Sequence, residues 1–267
     1  MVLHSSILGL GKVMLKRMHW VVLFGGAGRE SCISRMLDAG WKVSTIIVPE
    51  RRNSKLELAV SKLKSLPCKL IETDKFNLDS VLKIFAGDAL LSIGFPYILS
   101  KELLSKFHPA INIHPTLLPR YRGATTGAYI LINNERETGS SVHFLTEYMD
   151  RGDIIKQSRI EITPFDTIRS VQRKVYEREP QLLIDALDAL ERGVKGSPQD
   201  ESCASEYPQK RTPADSEIDP SISLVNLINQ IRACDPDNFP AYFMFNGEKV
   251  CIKLWRPEKP AEDFDLI

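Results

Sequence analysis

Ile111-Asn112-Ile113-His114-Pro115-Thr116-Leu117-Leu118-Pro119-Arg120-Tyr121-Arg122-Gly123 starts as a β-strand and finishes as a loop. Ala110, Ile111 and Ile113 supply the apolar, largely β-branched side chains that suit a half-buried strand. Two prolines then stop the strand, and Gly123 closes the loop. Asn112 and His114 are two residues apart, so an extended chain points both to the same side of the sheet. An amide and an imidazole therefore project together from a strand end. Free histidine titrates near 6.5, so His114 can move protons around neutrality. Asn112 is a neutral hydrogen-bond donor, suited to a carbonyl oxygen that gains charge.

Outward from this strand, the pattern is repetitive. Trp20–Phe24, a continuous apolar run, and Val43–Val48, Cys68–Glu72 and Ala89–Ile93 predict four earlier strands. Helical segments fall between them: one opened by Gly25–Arg29 and ended by Gly40, one from Ser54 with Glu57 completing a capping box, one capped by Asn77, and a short one capped by Ser100. Strands alternating with helices at this spacing predict an α/β fold, a mostly parallel sheet with helices on both faces. Ligands of such sheets bind beyond the carboxyl ends of the strands, where Asn112 and His114 fall. Downstream, Ser140–Thr146 and Ile154–Ile162 read as strands, the second antiparallel. A long helix follows from Asp166 to about Arg192, with Pro180 expected to kink or break it. Residues 193–220 are rich in Gly, Ser, Pro and acids and read as a linker or a loosely packed crossing. From Ser221 a short helix and two strands joined by Asn246-Gly247 predict a small α+β appendage.

The quoted stretch closely resembles the signature N-x-H-P-S-L-L-P-x-Y-x-G of the folate-dependent formyltransferase family, with Thr116 where serine is usual. A second segment, Gly139 to Ile155, resembles the family's strand, loop and Asp-x-Gly, here Asp150-Arg151-Gly152. The resemblance covers residues 19–195 well and continues more weakly to about 256. It implies a Rossmann-like catalytic domain over 18–195, a linker over 196–220 and a C-terminal domain over 221–267, after an extension over 1–17. It also implies N10-formyltetrahydrofolate as formyl donor, and Asn112, His114 and Asp150 in the catalytic places. Gly94-Phe95-Pro96-Tyr97-Ile98-Leu99 resembles the segment that meets the pterin ring, which makes Tyr97, Ile98 and Leu99 folate candidates, with Met149 from the Asp150 loop. His143 matches a histidine of some members and is left outside the catalytic set.

Composition fits this reading. Hydrophobic residues make up 43% and charged residues 26%, with a net charge of +1, so the whole chain has no bulk affinity for nucleic acid or anionic membrane. The five cysteines are scattered, without metal or disulfide spacing, which fits a reducing cytoplasm. No metal is expected. Residues 1–17 carry no acid and mix basic with apolar side chains; we expect a peripheral extension, with an organellar transit peptide as the alternative.

Three acceptor amines compete within the family. Residues 200–267 hold 7 Lys/Arg and 13 Asp/Glu, a balance of −6 that repels a tRNA phosphate backbone. A glycinamide ribonucleotide enzyme normally lacks such an appendage. The tail after Arg211-Thr212-Pro213 and the Tyr121-Arg122-Gly123 triplet resemble the sugar-nucleotide N-formyltransferases, in which Tyr121, Arg122 and Gly123 would meet the substrate. A small-molecule sugar nucleotide is thus the expected partner, and a homodimer is left open. A methionyl-tRNA formyltransferase-like enzyme and a formyltetrahydrofolate hydrolase are the alternatives.

Overall fold

A computed structural model describes residues 14–124, 126–207 and 209–261. Its centre is a seven-stranded sheet in the order β3-β2-β1-β4-β5-β7-β8. β1 (His19–Phe24), β2 (Lys42–Pro49), β3 (Lys69–Thr73), β4 (Ala89–Ile93) and β5 (Ala110–His114) run parallel. β7 (Glu137–Phe144) runs antiparallel between β5 and β8 (Ile154–Glu161). The chain builds β2 and β3 on one side of β1, then crosses to build β4 and β5 on the other. The crevice between β1 and β4 is therefore the topological switch point.

Alternation along β1 explains the layering. Trp20, Val22 and Phe24 pack with α1 (Ser31–Asp38), α2 (Ser54–Leu63) and α6 (Ile168–Glu191) on one face. Val21 and Leu23 pack with α3 (Leu78–Lys83) and α4 (Lys101–Leu104) on the other. Both faces of the parallel strands are thus covered, as their continuous apolar sequences require.

Several local expectations are corrected. α1 begins at Ser31, after the Gly25–Arg29 turn rather than within it. α2 is capped by Asn53, whose Oδ1 accepts from the Leu56 N–H at 2.9 Å, not by Ser54. α6 is capped by Thr167 with Ser170, not by Asp166. It also runs through Pro180 without a break. A proline inside a helix costs about 3 kcal/mol, and the burial of Leu182, Leu183, Ala186 and Leu187 against the sheet outweighs it. Ser100 does cap α4, accepting from the Leu103 N–H at 3.2 Å.

The end of the extension expected to be peripheral is packed, and the stretch read as a linker or loosely packed crossing contains a strand. Residues 1–13 of the N-terminal extension lie outside the described residues, but Leu15 is buried in the main cluster beside the sheet. Lys16 lies over the Trp41 ring at 5.5 Å. Leu15→Ala should therefore lower stability by about 2 kcal/mol, measurable as a shift in the urea midpoint without a change in slope. Within 196–220, Glu206–Tyr207 forms a short strand, β9, that pairs in parallel with Arg122–Gly123, β6. The stretch thereby folds back over the loop that follows His114.

The C-terminal part has its own apolar cluster of Ile218, Leu227, Ile231, Cys234 and Ala241. α7 (Leu224–Arg232) packs on a hairpin of β10 (Ala241–Phe245) and β11 (Glu248–Ile252). Asn246 and Gly247 both adopt positive φ, 51° and 82°, as a two-residue turn between right-twisted strands demands. Arg232 Nη1 donates to the carbonyls of Thr163 (3.0 Å) and Asp166 (3.1 Å), anchoring α7 to the start of α6.

Candidate active site

A cavity of about 640 Å³ opens at the carboxyl ends of β1, β4 and β5. Its floor is the switch point, where the backbones of Gly25 and Gly94 meet so closely that a Cβ on Gly25 would lie 2.5 Å from the Gly94 carbonyl oxygen. Asn112, His114, His143 and Asp150 form one wall, and all four line the cavity.

The loop after His114 curls back to fix it. Ser141 Oγ donates to the Thr116 carbonyl at 2.7 Å and accepts from the Leu118 N–H at 3.0 Å. This turn returns the Tyr121 carbonyl to His114, whose Nε2–H donates to it at 2.9 Å. A carbonyl can only accept, so Nε2 carries a proton and Nδ1 is the titrating atom. Nδ1 lies 3.5 Å from Asp150 Oδ2. Burial lowers the His114 pKa below its ordinary value; the Asp150 carboxylate pulls the other way without winning, and His143 and Arg29 add to the lowering. Neutral His114 thus presents a bare Nδ1 to a carboxylate, and a proton delivered there would bridge the two.

Asp150 is set by its own loop. Its φ is +56°, a left-handed conformation uncommon outside glycine. Oδ2 accepts from the Gly123 N–H at 2.9 Å. Two residues on, a Cβ at Gly152 would sit 1.8 Å from the Phe144 carbonyl oxygen, so the Asp-x-Gly spacing is a packing requirement. Burial pushes the Asp150 carboxyl up, but the facing His114 and His143 and the Gly123 N–H outweigh it and hold the carboxyl well below the usual carboxylate range.

Asn112 and His143 lie opposite each other in the β5–β7 register. His143 Nδ1–H donates to the Phe144 carbonyl at 2.8 Å, which leaves Nε2 to accept from Asn112 Nδ2 at 3.1 Å. The second Asn112 N–H has only Asp150 Oδ1 at 3.5 Å, a weak contact that a ligand oxygen can displace. His143 therefore belongs to the site, and sequence reasoning left it out. The antiparallel pairing of β5 and β7 was the signal that would have placed it opposite Asn112.

Tyr97, Ile98, Leu99 and Met149 all line the cavity. Ile98 and Tyr148 stand at its mouth, 66% and 64% exposed. The expected substrate triplet divides. Gly123 lines the cavity, but Tyr121 and Arg122 do not. The Tyr121 ring stacks on Tyr207 and its hydroxyl donates to Glu135 at 2.6 Å. Arg122 is fully buried; Nε and Nη2 donate to Gln199 Oε1 (3.2 and 2.7 Å), and Nη1 and Nη2 to the Glu201 carboxylate (3.0 and 2.7 Å). Its charge is spent inside the protein, so it is not an open cation for a diphosphate. Arg122→Ala should strand Gln199 Oε1, a loss of about 1–3 kcal/mol. Thermal unfolding should show a melting temperature several degrees lower.

Sequence reasoning also missed Arg29. Its Nη2 donates to Glu179 Oε1 (2.8 Å) and to the Ile113 carbonyl (3.0 Å), and Ser140 Oγ donates to the same carboxylate oxygen (2.7 Å). This buried bridge joins the turn after β1, the end of β5 and α6, and it holds the residue between Asn112 and His114. Among the described residues no group of three or more His, Cys, Asp or Glu side chains is placed to hold a metal, and no helix is long and apolar enough to cross a membrane.

A buried base between a carbonyl and a carboxylate, at the switch point of a mostly parallel sheet, is the construction of an α/β enzyme. The formyl transferase family matches residues 20–187, well over half of the chain, and the chain belongs to that family. Solved structures share the fold. A sugar N-formyltransferase from a Shewanella species superposes with a TM-score of 0.72 at 20% identity, covering 89% of this chain and 97% of that one. A 4-N formyltransferase from Francisella tularensis gives 0.73 at 21%, with the same coverage. The N-formyltransferase from Helicobacter canadensis, solved with folinic acid and dTDP-3-aminofucose, gives 0.67 at 18%, covering 87% and 86%.

Proposed function

We propose that the chain moves a formyl group from N10-formyltetrahydrofolate to the amine of a nucleotide-linked amino sugar, with Asn112, His114 and Asp150 at the reacting carbon. The observation that carries this reading is the bare His114 Nδ1 facing the Asp150 carboxylate on the cavity wall, with an Asn112 N–H beside them. The sugar N-formyltransferases that share the fold support the choice of acceptor.

The donor side of the cavity is lined by Tyr97, Ile98, Leu99, Leu145 and Met149, an apolar slot that fits a flat heteroaromatic ring. The folate supplies the activated formyl carbon. His114 Nδ1 takes the proton that the attacking amine loses. The resulting imidazolium keeps its Nε2–H on Tyr121 and pairs with Asp150, so its charge is met on both sides. The free Asn112 N–H donates to the oxygen that becomes negative as the carbon turns tetrahedral. His114 can then return the proton to the departing nitrogen.

Arg29 and Lys210 are the lysine and arginine side chains that line the cavity. Arg29 is committed to Glu179, which makes Lys210, from the segment after β9, the candidate for the diphosphate. The −6 balance of residues 200–267 argues against tRNA. All five cysteines are free thiols, in keeping with a cytoplasmic enzyme. Exposed Leu224, Val225, Met244 and Phe245 on α7 and β10 favour a homodimer, which light scattering can test.

The decisive assay offers formyl-folate with a panel of amino-sugar nucleotides, glycinamide ribonucleotide, methionyl-tRNA, or water alone. Formylation of an amino-sugar nucleotide is expected. Efficient formylation of methionyl-tRNA with every amino-sugar nucleotide ignored would reject the acceptor, and folate turnover without any amine would point to a hydrolase.

A further inference from the structure

Gln199 lies 49 residues beyond Asp150 and 77 beyond Arg122, yet it holds both. Its amide Nε2 donates to the carbonyls of Asp150 (2.8 Å) and Gly152 (2.7 Å). Its Oε1 accepts from Arg122 Nε and Nη2. Each contact lands where a loop is most constrained. Asp150 is the positive-φ residue of one loop, a conformation that must be held by its surroundings. Arg122 lies between Tyr121, whose carbonyl receives the His114 N–H, and Gly123, whose N–H meets Asp150. One amide group therefore spans the loop that orients the imidazole and the loop that carries the carboxylate. The segment bearing it is held in turn by β9 pairing with β6, and by Arg151 bridging Glu201 and Glu206.

We propose that Gln199 is a positioning residue that sets the His114–Asp150 separation by gripping both loops. The proposal rests on the reading of His114 and Asp150 as the reacting groups. Neither end of the amide reaches the cavity chemistry itself. Its effect passes through where the Asp150 carboxylate stands.

The two ends of the amide can be tested separately. Gln199→Glu keeps an oxygen for Arg122 but replaces the donor that faces the Asp150 and Gly152 carbonyls. Gln199→Leu removes both ends. The Glu variant keeps Arg122 paired but leaves two carbonyls without their donor, so it should melt a few degrees lower. Its kcat should fall by up to about 10²-fold, the scale expected for an ångström of misplacement. KM for formyl-folate should move less than about threefold. The second readout is the His114 titration followed by NMR in the ligand-free enzyme. His114 faces Asp150, His143 and Arg29, and of these only Asp150 favours its protonated form. Displacing Asp150 should therefore shift the His114 titration to lower pH in both variants. An unshifted titration in Gln199→Glu, together with wild-type kcat, overturns the proposal. A shifted titration with unchanged kcat leaves the positioning role intact and rejects the catalytic reading of the pair.

Discussion

His114→Ala should lower kcat by about 10²–10⁴-fold, the usual loss when a general base is removed, and leave formyl-folate binding within about threefold of wild type. The folate candidates Tyr97, Ile98, Leu99 and Met149 make no hydrogen bond to the imidazole, so the donor slot does not depend on it. The fold should survive as well. The Tyr121 carbonyl that loses the His114 N–H retains the Thr116 hydroxyl, which can donate to it at 3.2 Å. Product formation followed by chromatography, with calorimetry for the folate, separates the two effects. A variant keeping more than about a tenth of wild-type kcat would sink the assignment.

The same residue fixes the acid limb of the wild-type pH profile. Protonation of Nδ1 removes the base, so kcat/KM falls as pH drops through the His114 pKa. Burial places that pKa below its ordinary value of 6.5. The limb should therefore lie on the acidic side of 6.5, and a limb well above it would mean that His114 enters the reaction already charged.

The parallel sheet was legible because most of its strands are short apolar runs with their own punctuation, the edge strand β3 being the exception. Ala89–Ile93 matches the observed β4 at both ends. Asn112 and His114 were legible because a period of two is fixed by strand geometry. Residues that act through distant partners were not. Arg122 reads locally as an exposed loop cation, and nothing nearby says that Gln199 and Glu201 will enclose it. Gln199 falls in a Gly-, Ser- and Pro-rich stretch whose composition argues for a loose linker, and only the β6–β9 pairing brings it home. Arg29 and Glu179 are separated by 150 positions, one in a glycine-rich turn and the other on a helix. Helix ends were misread where two capping residues stood side by side: Asn53 beside Ser54, and Thr167 beside Asp166. Choosing between them depends on backbone angles that the sequence does not carry.

Asp150→Asn removes the charge while keeping the shape, and it should cost on the order of 10²-fold in kcat. The amide oxygen can still accept from the Gly123 N–H, so the loop has reason to stay in place. What disappears is the negative partner for the imidazolium. Without it His114 is harder to protonate, and the acid limb should move to still lower pH even as the maximum falls. Stability gives an independent check on the same charge. The carboxyl is held below its unfolded value by the facing His114 and His143, despite burial. A depressed carboxyl pKa contributes stability that is present above about pH 4 and is lost as pH falls through the folded value. His114 acts in another window: its lowered pKa makes the unfolded chain the better proton binder, so stability declines as pH falls through about 6.5. Urea unfolding should therefore show Asp150→Asn weaker than wild type. The gap should widen as pH falls below about 6.5, because His114 protonates at a greater cost without the carboxylate. It should narrow again as the pH is taken below about 4. A gap that stays constant down to pH 3 would show that the carboxylate charge has no favourable surroundings in the fold, and the imidazolium–carboxylate pairing would fall with it.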